Sequence, residues 1–443
     1  MTQLPVMLLA FPLGMALAGL LLARWRQAVV VVGTLTAVFL WWQLTNSEPS
    51  AEQTLTIAGY SFALTEMMQE LLRLLYGITA VLFALTWVWP SHPHFIPAAL
   101  TTIVFFTTAL MSPNLLIGAT ALCLGLAVLA IAIQAGRPQA TPVALRLLLF
   151  AVLAMLFFVL LDWLLPFGQT SSPVRLVVLI ALLLLGGFPF FMWVNRLVID
   201  APLATVVFVL GVGQTAVLAF LFQFLASHDW LVADVSFRQL LRWSGVATAL
   251  IAGLLSIHAR EARQLLGAFV LLDMAFALIT LTFPVTAGWE TAVMLLLVRV
   301  ISLLLAMVGL HLLEERTTHA PFCLLIFAYG GLSLLGLPLT IGFGGRWVVI
   351  TAVAQQTSQI SGEVVQAETP WLALFLLLAL AASTYALFRF LIYQYAPSDS
   401  QNQLAEPLWQ RIGLSILFII TLVLAAFPQP LLAYAHLFAA LLQ

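Results

Sequence analysis

The sequence predicts an all-α polytopic membrane protein of about 14 transmembrane helices. Three observations carry that expectation. The chain is 63% hydrophobic and 7% charged, with a mean hydropathy of +1.12, well outside the range of soluble domains. Apolar runs close to the ~20 residues that a helix needs to cross hydrocarbon recur along the whole chain. The polar connections between them are too short, at about 15–20 residues, to hold a soluble domain.

In order, the runs lie near 4–23, 27–45, 69–90, 95–112, 114–135, 143–165 and 175–194. Seven more lie near 202–226, 240–257, 263–283, 288–313, 321–355, 371–395 and 411–437. The start at Leu4 has no basic segment before it and no small-residue cleavage signature, so it reads as a first span. The run 321–355 is too long for one straight crossing. Pro338, Gly342, Gly344 and Gly345 within it predict a broken helix. Arg24, Arg26, Arg137, Arg196, Arg260, Arg263 and Arg316 fall in alternate loops, while Glu48, Glu52, Glu290, Glu363 and Glu368 fall in the others. Arg238 and Arg242 dissent. The arginine-bearing loops are expected on the cytoplasmic side, which puts both termini outside.

All sixteen basic side chains are arginine, and no lysine occurs. Desolvated lysine can take up and release a proton, whereas arginine keeps its charge. Whatever the chain does in the membrane, it does without a lysine relay. A net charge of −1 gives no reason to expect a nucleic-acid partner. Cys123 and Cys323 both lie in apolar runs and read as buried thiols. No metal-ligand or nucleotide-binding motif appears, so no cofactor is expected in this chain and redox chemistry would belong to other subunits.

Four segments resemble one family. Gly187-Phe188-Pro189-Phe190-Phe191-Met192-Trp193, followed by Ala201-Pro202, resembles a PFHxW…AP motif. Ala262 to Gly267, with Asp273-Met274, resembles KRLLxYSSIxHMG. Leu335 to Trp347, with Pro338, Gly342 and Arg346, resembles AGIPxxxGFxGKF. Tyr385 to Arg389, Ala396-Pro397 and Phe427-Pro428-Gln429-Pro430 resemble a carboxy-terminal pattern. Together they cover roughly 110–443 and resemble the antiporter-like membrane subunits of complex I, closest to the N-type subunit. The wider family includes Mrp antiporters, membrane-bound hydrogenase subunits and inorganic-carbon transporters.

The resemblance implies two inverted repeats, each with a discontinuous helix, at 95–258 and 259–395. Helices would precede them at 1–94, and a loop and helix would follow at 396–443. It also implies a horizontal row of charges at mid-membrane that relays protons. Carried over residue by residue, the row's glutamate falls at or near Cys123 and its motif lysine at Gln214. The PFHxW histidine is Phe191, the HMG histidine is Asp273, and the GFxGKF lysine is Arg346. Glutamine does not titrate and arginine does not release its proton, so the relay is expected to be degenerate.

The residues themselves predict one ion pair. Asp273 and Arg299 sit on consecutive helices, each about 13 positions from the turn near 284–289, which puts both about 20 Å from it at one depth. A lone charge at the bilayer centre costs at least about 2.5–3.5 kcal/mol, and pairing relieves much of it. The pair reads as a static lock between helices or as a rewired proton path. Arg346 reads as the end of the charge row, as a cap on broken-helix carbonyls, or as a side chain snorkelling to the interface. Gln214 reads as an interhelical hydrogen bonder or as part of the relay.

The expected function is that of an N-type membrane-arm subunit of a complex I-type NADH:quinone oxidoreductase, with reduced or absent proton translocation of its own. Its partners would be other antiporter-like and small membrane subunits and lipids, in a bacterial or archaeal cytoplasmic membrane. The alternative is a cation/proton or bicarbonate-linked transporter module that uses Asp273.

Overall fold

The computed structural model describes residues 3–47, 53–57, 59–87, 91–134, 138–167, 171–315, 321–355, 358–360, 363–365, 370–395 and 408–441. The charged or motif positions Glu48, Glu52, Arg137, Arg316, Glu368, Ala396 and Pro397 lie outside them.

Helices α1 (Gln3–Leu21) and α2 (Arg26–Asn46) lead into a hairpin of β1 (Gln53–Ile57) and β2 (Tyr60–Leu64). The strands pair antiparallel from Gln53↔Leu64 to Ile57↔Tyr60, so the connection between the second and third spans folds as strand, an element absent from the sequence expectation. Then come α3 (Glu66–Leu85), α4 (Phe95–Met111), α5 (Leu115–Gln134), α6 (Thr141–Leu164), α7 (Ser171–Leu185) and α8 (Met192–Asp200). They are followed by α9 (Leu203–Val207), α10 (Gln214–Ala226), α11 (Asp229–Ala233), α12 (Val235–His258) and α13 (Ala262–Thr280). Next are α14 (Val285–Glu315), α15 (Pro321–Leu335) and α16 (Phe343–Gln355), with a second small hairpin of β3 (Ser358–Ile360) and β4 (Glu363–Val365). Finally come α17 (Pro370–Tyr395), α18 (Leu408–Ala426) and α19 (Gln429–Leu441).

Local chemistry sets the helix starts. Thr65 caps α3 by accepting from the Met68 amide at 3.4 Å. Asn114 caps α5, its Oδ1 accepting from the amides of Leu116 and Ile117 at 3.0 and 3.1 Å. Threonines inside the helices return their hydroxyls to carbonyls of the preceding turn, as Thr36 does to Val32 at 2.7 Å and Thr79 to Leu75 at 2.7 Å. That satisfies a hydroxyl where no water is at hand.

Three departures from straight helices matter. Pro338 and Gly342 fall between α15 and α16, so the break expected in 321–355 is present. A second break interrupts the run expected as one helix at 175–194: α7 stops at Leu185 and α8 begins at Met192. The physical reason is shared. Gly186 and Gly336, with φ of 68° and 70°, each end a helix in the left-handed region, and a proline follows within three residues. The helices before the two breaks are also the same length, 15 residues each. The run expected as a single span at 411–437 bends by 71° between Ala426 and Gln429, where Pro428 withholds an amide.

Among the described residues, ten helices are individually long and apolar enough to cross a membrane, and the bent α18–α19 pair makes an eleventh. The shorter apolar helices α4, α7, α15 and α16 keep the expected fourteen compatible with the fold. Burial separates helix roles. Every residue from Leu203 to Phe222 is buried, whereas α6 exposes Leu145, Leu149, Val152, Leu156 and Trp163 on one face and buries Ala144, Leu147, Ala151, Ala154 and Phe158 on the other. A helix apolar on both faces needs lipid or another membrane protein on its outer side.

The chain forms two compact units. Unit 1 holds Met1–Leu185, Asp200–Asp234 and Ala440–Gln443; unit 2 holds Gly186–Ile199 and Val235–Ala439. Within unit 1, α2 packs on α3, α1 on α4, and α5 on both α4 and α6. Within unit 2, α12 packs on α13 and α17, and α14 on α15. This division follows packing and differs in kind from the expected repeats, whose 258/259 boundary falls inside unit 2.

Candidate functional site

The polar centre of unit 2 is built on α13, α14, α15 and α16. Helix α13 is buried from Leu265 to Thr280, and Asp273 is the one acid in that stretch. Its carboxylate accepts from two arginines at once. Arg299 of α14 donates through Nε to Oδ2, and Arg346 of α16 donates through Nη2 to Oδ1. All three side chains are buried, at 0%, 0% and 1% exposure, so solvent screens none of these charges.

The expected Asp273–Arg299 pair is therefore present, and Arg346 completes a triad. The second Nη of Arg346 donates to the carbonyls of Ser333 and Gly342, at 3.4 and 3.3 Å. Ser333 lies in the last turn of α15, and its carbonyl also accepts from the Gly336 amide at 3.0 Å. Arg346 thus caps the broken helix and binds the carboxylate together. Its burial rules out snorkelling. The guanidinium also lies 5.8 Å from the centre of the Phe276 ring, one turn beyond Asp273. Gly336 and Gly342 make room for this arrangement. A Cβ on Gly336 would meet the Arg346 side chain, and one on Gly342 would meet the Ser333 carbonyl.

Two serines tie α14 to α15 beside the triad. Ser302 and Ser333 share a 2.7 Å hydroxyl hydrogen bond, and both are buried. The sequence reading passed over them, because a lone serine in an apolar run carries no pattern. The contact between Arg346 and Asp273 spans 73 residues, so no local spacing announces it.

Gln214 and Cys123 belong to unit 1. Gln214 follows a π-helical turn at Phe208–Gly213, an irregularity often found where a side chain is re-aimed. Its Nε2 donates to the Leu184 carbonyl at 3.0 Å, in the last turn of α7. Each broken helix is thus capped by a side chain, Gln214 at the first and Arg346 at the second. Cys123 is buried in α5. The sequence shift that carries Leu185 onto Leu335 also carries Cys123 onto Asp273, so the first half has a thiol where the second has its carboxylate. The motif residues Pro189 and Phe191 lie in the α7–α8 break, Trp193 is buried at the start of α8, and Pro202 directly precedes α9.

Chemically, the triad can hold helices in register and set a fixed field. Arginine offers fixed N–H donors and no exchangeable proton for a relay, so the carboxylate is clamped from two sides.

No protein-family profile matches the chain. Among curated proteins it is similar to NADH-quinone oxidoreductase subunit N of Thioalkalivibrio sulfidiphilus, 24% identical over 274 residues, covering 57% of this chain and 53% of that protein. Subunit N of Methylovorus glucosotrophus is 24% identical over 271 residues, with the same coverage of 57% and 53%. The chain spans about half the length of the curated relatives it matches. Among solved structures, a chain of the membrane-bound sulfane sulfur reductase, an archaeal respiratory membrane complex, has TM-score 0.80 at 15% identity, covering 99% of this chain and 98% of that one. A chain of respiratory complex I from Thermus thermophilus has TM-score 0.72 at 19% identity, covering 96% and 99%. A chain of the Mrp complex from Dietzia sp. has TM-score 0.77 at 14% identity, covering 98% and 52%. Identities this low speak to the fold. The chain is a multi-pass membrane protein with the fold of the antiporter-like membrane subunits of complex I, and its sequence is similar to that of subunit N.

Proposed function

We propose that this chain is an N-type membrane-arm subunit of a complex I-type assembly, in which it serves mainly as a structural element with a degenerate proton relay. The observation that carries this reading is the Asp273 carboxylate, bound by two arginines that keep their protons. Gln214, at the motif lysine position, is spent on the Leu184 carbonyl and does not titrate. The chain would sit in a bacterial or archaeal cytoplasmic membrane with both termini outside. Its partners would be other antiporter-like and small membrane subunits, and any cofactor would reside in them.

The test has two parts. Gentle detergent extraction from native membranes, followed by mass spectrometry, should recover the chain with other antiporter-like subunits and an iron–sulfur arm. In the reconstituted assembly, variants at Gln214, Asp273 or Arg346 should lower the amount of complex while assembled complexes keep their proton-to-electron ratio. A lower ratio with assembly intact would overturn the structural role.

The fold shared with the Mrp complex chain supports a second reading. In it, the protein is a cation/proton or bicarbonate-linked transporter module whose titrating group is Asp273. That reading requires a pH-dependent flux that Asp273→Asn abolishes while the protein stays folded in the membrane.

A further inference from the structure

The charges of the buried triad do not cancel. One carboxylate faces two guanidinium groups, and none of the three is exposed to solvent. One positive charge is left inside the apolar core of unit 2, where an uncompensated charge is costly. The other described charged groups near the ends of these helices do not reach it. Arg263 pairs with Glu314 on the exposed surface, and Glu290 pairs with the exposed His436.

The hydrogen bonds locate the surplus. Arg346 spends both terminal nitrogens, one on Asp273 and one on the carbonyls of Ser333 and Gly342, and keeps a single unspent buried donor, Nε. Arg299 spends only Nε on the carboxylate. Its Nη1 and Nη2 are buried and donate to no described residue. Those two nitrogens form the outer edge of the guanidinium, which offers parallel N–H donors to a single acceptor. Ser302 lies one helical turn further along α14. It shares one hydrogen bond with Ser333, which uses one hydroxyl proton of the two and leaves the other to donate.

We propose that the outer edge of Arg299 binds a small monovalent anion of halide size, which closes the charge balance of the Asp273–Arg299–Arg346 cluster. A divalent anion would leave the cluster with an excess negative charge, and a single small acceptor is what two parallel N–H donors on one guanidinium edge can share. The inference concerns this cluster and holds whichever assembly the chain serves.

The test uses the full-length protein purified throughout in gluconate. Equilibrium binding of radioactive chloride should be saturable, with one ion per chain, displaced by bromide and not by gluconate. Chloride should also raise the thermal unfolding midpoint at constant ionic strength. Arg299→Gln should weaken chloride binding by at least about tenfold, the scale of a lost charge-assisted hydrogen bond. Should that variant fail to fold, Ser302→Asp supplies the second reading. It tethers a carboxylate one turn from Arg299, and should fold, bind no chloride and melt at the same temperature in chloride and gluconate. Absence of saturable chloride binding by the unaltered protein would overturn the proposal in favour of hydration alone. Chloride binding that persists unchanged in Ser302→Asp would overturn it by placing the ion elsewhere.

Discussion

Asp273→Asn and Arg299→Gln both remove the same Asp273–Arg299 ion pair, yet they move the buried charge in opposite directions. The triad carries one negative and two positive charges, all buried. Asp273→Asn raises the internal charge to two positives, strips both arginines of their anion and brings an amide NH2 against one of them. Breaking a buried pair by removing one partner costs about 3–5 kcal/mol, and here two pairs lose the same partner. Arg299→Gln instead leaves a one-to-one Asp273–Arg346 pair. It forfeits a charged hydrogen bond of about 1.5–3 kcal/mol and relieves a surplus charge of about 2.5–3.5 kcal/mol at this depth, so its net cost should be within about 1–2 kcal/mol. Asp273→Asn should therefore be the more destabilising by at least about 2 kcal/mol. The assay is unfolding in mixed dodecylmaltoside and dodecyl sulfate micelles, followed by circular dichroism in halide-free buffer. Equal destabilisation, or the reverse order, would refute the charge argument and leave only the count of hydrogen bonds.

Three further outcomes follow from the packing. A Cβ on Gly309 would come within 2.5 Å of the Phe327 amide nitrogen, and one on Gly330 within 2.6 Å of the Ala306 nitrogen. Gly330→Val should thus force α14 from α15 and cost at least about 1–3 kcal/mol, seen as a lower midpoint in the same micelle titration. Gln214→Leu should leave the Leu184 carbonyl without its donor, cost about 1–3 kcal/mol and speed hydrogen exchange in the last turn of α7; unchanged exchange there would show that the cap is dispensable. Ser302→Ala and Ser333→Ala break the same bond, so each should cost about 1 kcal/mol while the double variant costs little more than either. Full additivity in that cycle would mean the two hydroxyls do not interact.

The motif segments and apolar runs made much of this molecule legible before any tertiary contact was known. The break in 321–355 was readable because glycine and proline act on the backbone wherever they occur. The break at Gly186 carries the same signal, Gly-Gly before Pro189, but its hydrophobic run is short enough to pass for one helix. The hairpin at 53–64 carries a strand signal, the alternation Thr54-Leu55-Thr56-Ile57 and Tyr60-Ser61-Phe62 on either side of Gly59, but runs this short are lost beside spans recognised by helix length. The Asp273–Arg299 pair was readable because both residues sit at equal distances from one turn, so helix geometry alone sets their depth.

What the sequence determined by itself is the class of solvent around the chain, the approximate course of its spans, and the scarcity of titratable groups within them. These follow from composition and from the fixed rise of a helix, properties that each segment carries alone. Only the tertiary structure decided that Arg346 reaches Asp273, that Ser302 meets Ser333 and that Gln214 caps α7. Depth along a helix can be counted from its ends, but the direction in which a side chain points depends on helix rotation and packing. That rotation is set by neighbours tens of residues away in the chain, and it turned an expected neutral pair into a buried cluster with a charge left over.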